Sequence, residues 1–175
     1  MATAAPRFGP RELEVVEAAV PLARELTGHY FALPDDWFDR ASHEVCTAKD
    51  LRRGEILGEG KLAQIRRIYR LLPAGPEALL RCQRLCPHYR ICLQDHNLLA
   101  RLDRDLALPD LLTCVLTHEY VHLVRFCRIL HPYWAGPERR EDEERRVDRI
   151  TRAILTRLGH DRLRRAAERL VAAGK

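Results

Sequence analysis

Val115-Leu116-Thr117-His118-Glu119-Tyr120-Val121-His122-Leu123-Val124 is the stretch that decides the fold. Apolar residues occupy almost every position around one acidic residue and two histidines. A helix that is apolar nearly all round is a buried helix. Its start is marked by Pro109-Asp110, and the pattern carries it to about Leu130. His118 and His122 are four residues apart, so a helix sets them one turn apart on the same face. Burying a carboxylate and two imidazoles is costly unless they are paired or bind a metal. The spacing is the H-E-x-x-H arrangement, in which two imidazoles grip one metal ion and the glutamate reaches the water beside it.

Outward from this helix, Pro132 and Pro137 bracket a loop. A charged helix over Glu138–Leu158 follows, stopped by Gly159, and a last helix fills Asp161–Ala173. Val147, Ile150, Ile154 and Leu158 mark the buried face of the charged helix, with Glu144 and Asp148 at its border. On the N-terminal side, alternation through Tyr89, Ile91 and Leu93 predicts a short strand, and residues 95–107 read as helical. Leu62, Ile65, Ile68 and Leu72 predict a helix over Gly60–Leu72, closed by Pro73-Ala74-Gly75-Pro76. A short helix is expected from Pro76 to Leu85. Pro34-Asp35-Asp36 and Arg53-Gly54-Glu55 read as turns, with a short strand near His43–Thr47 between them. Residues 10–31 read as helix, kinked or split at Pro21 and stopped at Gly28. The expectation is one α+β domain over residues 1–175, helices dominant, with its active core over about 86–160.

The chain has 175 residues, one domain's worth. Its 46% apolar, 31% charged and 6% aromatic content suits a globular protein rather than a disordered one. The most apolar stretch, Leu111–Leu130, holds His118, Glu119, His122, Arg125 and Arg128, which argues against a membrane span. No apolar segment follows a basic start at the N-terminus, so no signal peptide is read and the expected compartment is the cytoplasm. The six cysteines, Cys46, Cys82, Cys86, Cys92, Cys114 and Cys127, are then expected to be reduced. The C-x3-C spacing of Cys82 and Cys86 does not fit a zinc knuckle, so the cluster with Cys92 reads as packing. Cys114, one turn before His118, also reads as packing.

Two histidines leave a catalytic zinc site short of a third ligand. The metzincin pattern would need glycine at 125 and a ligand at 128, and both are arginine. The next acidic run is Glu141-Asp142-Glu143-Glu144, with Asp148 four residues beyond Glu144. Here the chain resembles the gluzincin zinc peptidases, whose H-E-x-x-H is followed by a glutamate ligand on the next helix and an orienting acidic residue four positions later. The resemblance covers Val115 to Asp148, and the small chain is similar to the minimal minigluzincins. It implies a zincin-like active-site helix and a glutamate-bearing helix beside a small sheet. It further implies Zn2+ held by His118, His122 and Glu144, Glu119 as general base, and Asp148 orienting a motif histidine. Where larger gluzincins carry asparagine before the ligand glutamate, this chain has Glu143, which also sits on the buried border and competes with Glu144. Asp148 favours Glu144.

The expected activity is metal-assisted hydrolysis of a peptide or protein substrate. Tyr133 and His131 are candidate oxyanion stabilisers, with Tyr120 and His160 behind them. An extended substrate is expected to pair with the edge of the Tyr89–Leu93 strand. Arg125 is expected to extend outward near the helix end. The competing expectation rests on the net charge of +5 and on the C-terminal arginines from Arg139 to Arg169. It is a nucleic-acid-associated or regulatory protein with an auxiliary metal site, recognisable by steep salt dependence.

Overall fold

The computed structural model describes residues 5–71, 85–130, 132–157 and 161–173. Helices dominate: α1 (Pro10–Phe31), α2 (Trp37–Arg40), α3 (Asp95–Ala100), α4 (Leu108–Cys127), α5 (Pro137–Arg157) and α6 (Asp161–Ala173). The strands β1 (His43–Cys46), β2 (Ala63–Leu71) and β3 (Leu85–Leu93) form one mixed sheet in the order β1-β3-β2. β1 runs parallel to β3 and β2 antiparallel to it. The fold is therefore α+β.

α4 is the axis of the core. Leu111, Leu112, Leu116, Tyr120, Val121, Leu123 and Val124 are fully buried, because α1, α5, α6 and β2 all pack against α4. α1 presents Val16, Ala19, Ala23 and Thr27, a stripe at helical spacing. Its two alanines let it lie close to α4. From α5 comes the stripe Glu143, Val147, Thr151, Ile154 and Leu155. On the sheet, Tyr89, Ile91 and Leu93 point into the same core. Asp95 ties the sheet end to distant chain: its carboxylate accepts the backbone N–H of Phe8 at 2.9 Å and of Ala48 at 3.0 Å.

Several expectations are corrected. Residues Ala63–Leu71 form a strand, not the helix read over Gly60–Leu72. The i, i+3 spacing of Leu62, Ile65 and Ile68 imitates a helical face, but Ile65 and Ile68 lie on opposite faces of β2. Pairing with β3 decides the matter, with Ile65 opposite Ile91 and Ile68 opposite His88. β3 is nine residues long and is the central strand. Over Tyr89–Cys92 it is paired on both sides, so that stretch offers no free edge to a substrate; the outer strands are β1 and β2. α1 passes unbroken through Pro21 and ends past Gly28, at Ala32 in a left-handed turn. Pro21 is exposed, so the carbonyl whose donor it lacks faces water and the helix tolerates it. Over 95–107 only Asp95–Ala100 is helical. Asp103 Oδ1 accepts from the N–H of Asp105 and of Leu106 instead, fixing a turn. The Pro76–Leu85 helix falls on residues outside those described, apart from Leu85, which starts β3.

Candidate metal centre

α4 sets His118 and His122 on one face, their ring centroids 4.9 Å apart. α5 packs antiparallel beside them, so rising numbers on α5 meet falling numbers on α4. Glu144 therefore reaches both rings: its carboxylate lies 3.4 Å from His118 Nε2 and 3.4 Å from His122 Nε2. One turn on, Asp148 Oδ1 lies 3.4 Å from His118 Nδ1, on the far side of that ring. The three donor groups lie within 4.8 Å of one another, the cluster among the described residues that has metal-ligand chemistry.

These separations suit zinc. Tetrahedral bonds of about 2.0–2.1 Å place ligand atoms about 3.3 Å apart, close to the nitrogen–oxygen distances seen. Both imidazoles turn Nε2 to the shared point, and Asp148 accepts at the opposite nitrogen of His118, the arrangement that fixes a tautomer for metal ligation. His122 Nδ1 is buried with no partner among the described residues. That ring is held instead by stacking on Phe126, centroids 5.6 Å apart.

Charge also favours a cation. Glu119, Glu144 and Asp148 bring three carboxyl groups to the two imidazoles. Burial alone would lower the pKa of His118, but the carboxylates of Asp148 and Glu144 outweigh it and raise it to about 10. For Glu144, desolvation acts upward, yet hydrogen bonding to both histidines holds it well below the usual carboxylate range. Glu119 is only 6% exposed, with no hydrogen bond or ion pair to its side chain among the described residues. Burial raises its pKa against the pull of His118 and His122. An unpartnered carboxylate of raised pKa beside a ligand cluster is suited to taking up a proton.

No known protein family, curated protein or solved structure matches the chain. The reading of the site therefore stands on its own residues.

Glu143 and Glu144 have separate partners. Glu143 is 4% exposed and grips Arg125, itself 5% exposed, in a two-pronged pair with contacts of 2.5 and 2.8 Å. Arg125 thus turns inward, against the outward course expected. Glu143 is committed to that pair and stands apart from the ligand cluster. The Tyr133 hydroxyl is engaged elsewhere: it accepts the Arg67 N–H of β2 at 2.9 Å and donates to the Ile65 carbonyl at 3.4 Å. Tyr120 packs edge-on to Phe38 and His43 in the core. His131 and His160 lie outside the described residues. Cys114 approaches the Leu163 carbonyl at 3.7 Å, and burial pushes its thiol up to about 12, so it packs rather than ligates. Cys92 is likewise fully buried, with its thiol pushed up to about 12, while Cys82 lies outside the described residues.

A cleft of about 1470 Å³ opens onto the cluster, lined by His118, Glu119, Glu144 and Asp148. Leu62 and Ala63 at the start of β2 and Arg101 after α3 line it as well. Nothing in the spacing around Arg101 marks it. Its place at the cleft follows only from how α3 and β2 fold against α4.

Proposed function

We propose that the chain is a zinc-dependent hydrolase of peptide bonds, with His118, His122 and Glu144 as the metal ligands. The observation that carries this reading is the convergence of two Nε2 atoms on the Glu144 carboxylate, each 3.4 Å from one of its oxygens, with Glu119 unpartnered beside them in an open cleft. Zinc, when bound, supplies a Lewis acid that acidifies water and polarises a carbonyl. Glu119 accepts the proton of the attacking water and returns it to the leaving amine. Asp148 holds His118 in the tautomer that offers Nε2, and α4 holds both rings at fixed spacing. The zincin-like arrangement of a motif helix followed by a glutamate-bearing helix belongs to the same reading. The nucleic-acid reading has no comparable support: the arginines of α5 are interleaved with carboxylates, and Arg145 pairs with Glu141 and Asp142.

The test is metal content together with turnover. About one zinc per chain is expected in the wild type, lost in Glu144→Ala and kept in Asp142→Ala, an exposed neighbour. Hydrolysis of a peptide library is expected in the wild type and not in Glu119→Gln. A wild type that takes up no zinc on reconstitution sinks the proposal.

A further inference from the structure

The cleft is charged unevenly along its length. Because α4 and α5 are antiparallel, Glu143 lies level with Arg125, Glu144 with His118 and His122, and Asp148 with His118. Arg152 is one turn beyond Asp148, level with the Cys114–Val115 turn that lines the same cleft. Arg101 lines the same cleft from a different element, the turn after α3, in the short connection that leads to the start of α4 and so toward the same end as Cys114. Neither Arg101 nor Arg152 has an ion-pair partner among the described residues, and beyond Asp148 in this direction the described lining holds no carboxylate. Every other acidic lining residue (Glu119, Glu141, Asp142, Glu143, Glu144) belongs to the centre or to the opposite end. There Arg125 and Arg145 are already paired, and Arg139, Arg146 and Arg149, which also line the cleft, alternate along α5 with those carboxylates and Asp148.

Arg101 is half-buried and Arg152 exposed; cations along a cleft wall, with no carboxylate beside them, draw a ligand of opposite sign. Arginine's fork adds geometric fit to a carboxylate that a lone ammonium lacks. We infer that the cleft selects acidic peptides, reading glutamate or aspartate on one side of the scissile bond, the side that lies toward Arg101 and Arg152. This inference rests on the hydrolase reading and assigns its substrate class.

Binding separates the two claims. Zinc-loaded Glu119→Gln protein is titrated with short fluorescent peptides of one apolar core, carrying two glutamates on one side or the other, and with their glutamine counterparts. At low salt a glutamate pair on one side is expected to bind about tenfold tighter than glutamine, the worth of two modest ion pairs. On the other side no such advantage is expected, and salt should erode the gain. The double reversal Arg101→Glu/Arg152→Glu is expected to invert the ratio. Should that variant not fold, Arg101→Gln and Arg152→Gln are each expected to reduce the ratio about threefold. Equal binding of glutamate and glutamine peptides, an unchanged ratio in the variants, or tighter binding of a single-stranded oligonucleotide of matched charge would overturn the inference. Mass spectrometry of the same peptides with wild type reads the other claim. A persistent glutamate preference without cleavage sinks the hydrolase reading and leaves the selectivity standing.

Discussion

Glu143 and Glu144 are adjacent in sequence, yet their removal should have opposite consequences. Glu143 is buried against Arg125 with both prongs of the pair formed. Truncating it to alanine strands a guanidinium that is 5% exposed. Breaking one partner of a buried ion pair costs about 3–5 kcal/mol. In a chain of this length each kcal/mol moves Tm by roughly 2–4 °C, so metal-free Glu143→Ala should melt roughly 6–20 °C below wild type. Glu144 is 58% exposed at its side chain and makes only 3.4 Å contacts, so metal-free Glu144→Ala should stay within about 1 kcal/mol of wild type. Metal reverses the order. Wild type and Glu143→Ala should each gain stability from zinc by mass action, while Glu144→Ala gains little. Thermal melts followed by circular dichroism, with and without zinc, read both effects on the same samples. A double mutant with Arg125→Met should recover part of the loss, since it removes the stranded charge and leaves only the smaller cost of the space vacated by Glu143. If Glu143→Ala lost the zinc response while Glu144→Ala kept it, the assignment of the ligand would be reversed and the reasoning from antiparallel docking would fail.

Three further outcomes are expected. In the metal-free cluster His118 has a pKa near 10, so at pH 7 it carries a proton that zinc must displace, whereas Glu144 is already ionised. Zinc uptake at neutral pH should release about one proton, and affinity should rise about tenfold per pH unit as pH climbs toward 10; calorimetry in buffers of different ionisation enthalpy measures it, and no proton release contradicts it. The same shift stabilises the metal-free fold below the unfolded histidine pKa and is lost as pH rises toward 10, so its Tm should fall over that window. Glu119 is a carboxylate whose pKa burial raises, so its ionised form weakens the metal-free fold at neutral pH. Glu119→Gln should raise the Tm of the metal-free protein by an amount worth about 0.5–2 kcal/mol and lower kcat by about 10²–10⁴-fold, a trade that a merely structural glutamate would not show. Ile129, a β-branched residue at φ 56° and 87% exposed, closes α4 where glycine is usual. Ile129→Gly should stabilise the fold by about 1 kcal/mol in denaturant melts, because it relieves left-handed strain and uncovers almost no apolar surface; a loss of stability would show that the exposed side chain has a partner.

The parts of the site that were legible in the sequence are those governed by helical period. His118 with His122, and Glu144 with Asp148, are each one turn apart, and the apolar residues around each pair say which way it faces. Two helices joined by a short loop then have little choice but to lie antiparallel, which brings the second pair to the first. What stayed hidden depends on contacts between residues far apart in the chain. β2 was concealed because Leu62, Ile65 and Ile68 satisfy a helical spacing, and only β3, about twenty residues on, selects the extended form. Arg125 could not be told from an arginine reaching to solvent until the register of α5 placed Glu143 against it. Tyr133 looked free for chemistry because its sequence neighbours do not show that β2 offers it Arg67 N–H and Ile65 C=O. That engagement bears on substrate access. β3 is paired on both sides over Tyr89–Cys92 and the start of β2 lines the cleft, so an extended peptide adding to the sheet there would use β2, whose outward-facing backbone at Ile65 and Arg67 is held by the Tyr133 hydroxyl. Binding in that mode must exchange one side-chain hydroxyl for main-chain hydrogen bonds of the same polarity, an exchange worth little net energy either way. Affinity would then come from what the side chains meet along the cleft, and at its far end they meet Arg101 and Arg152.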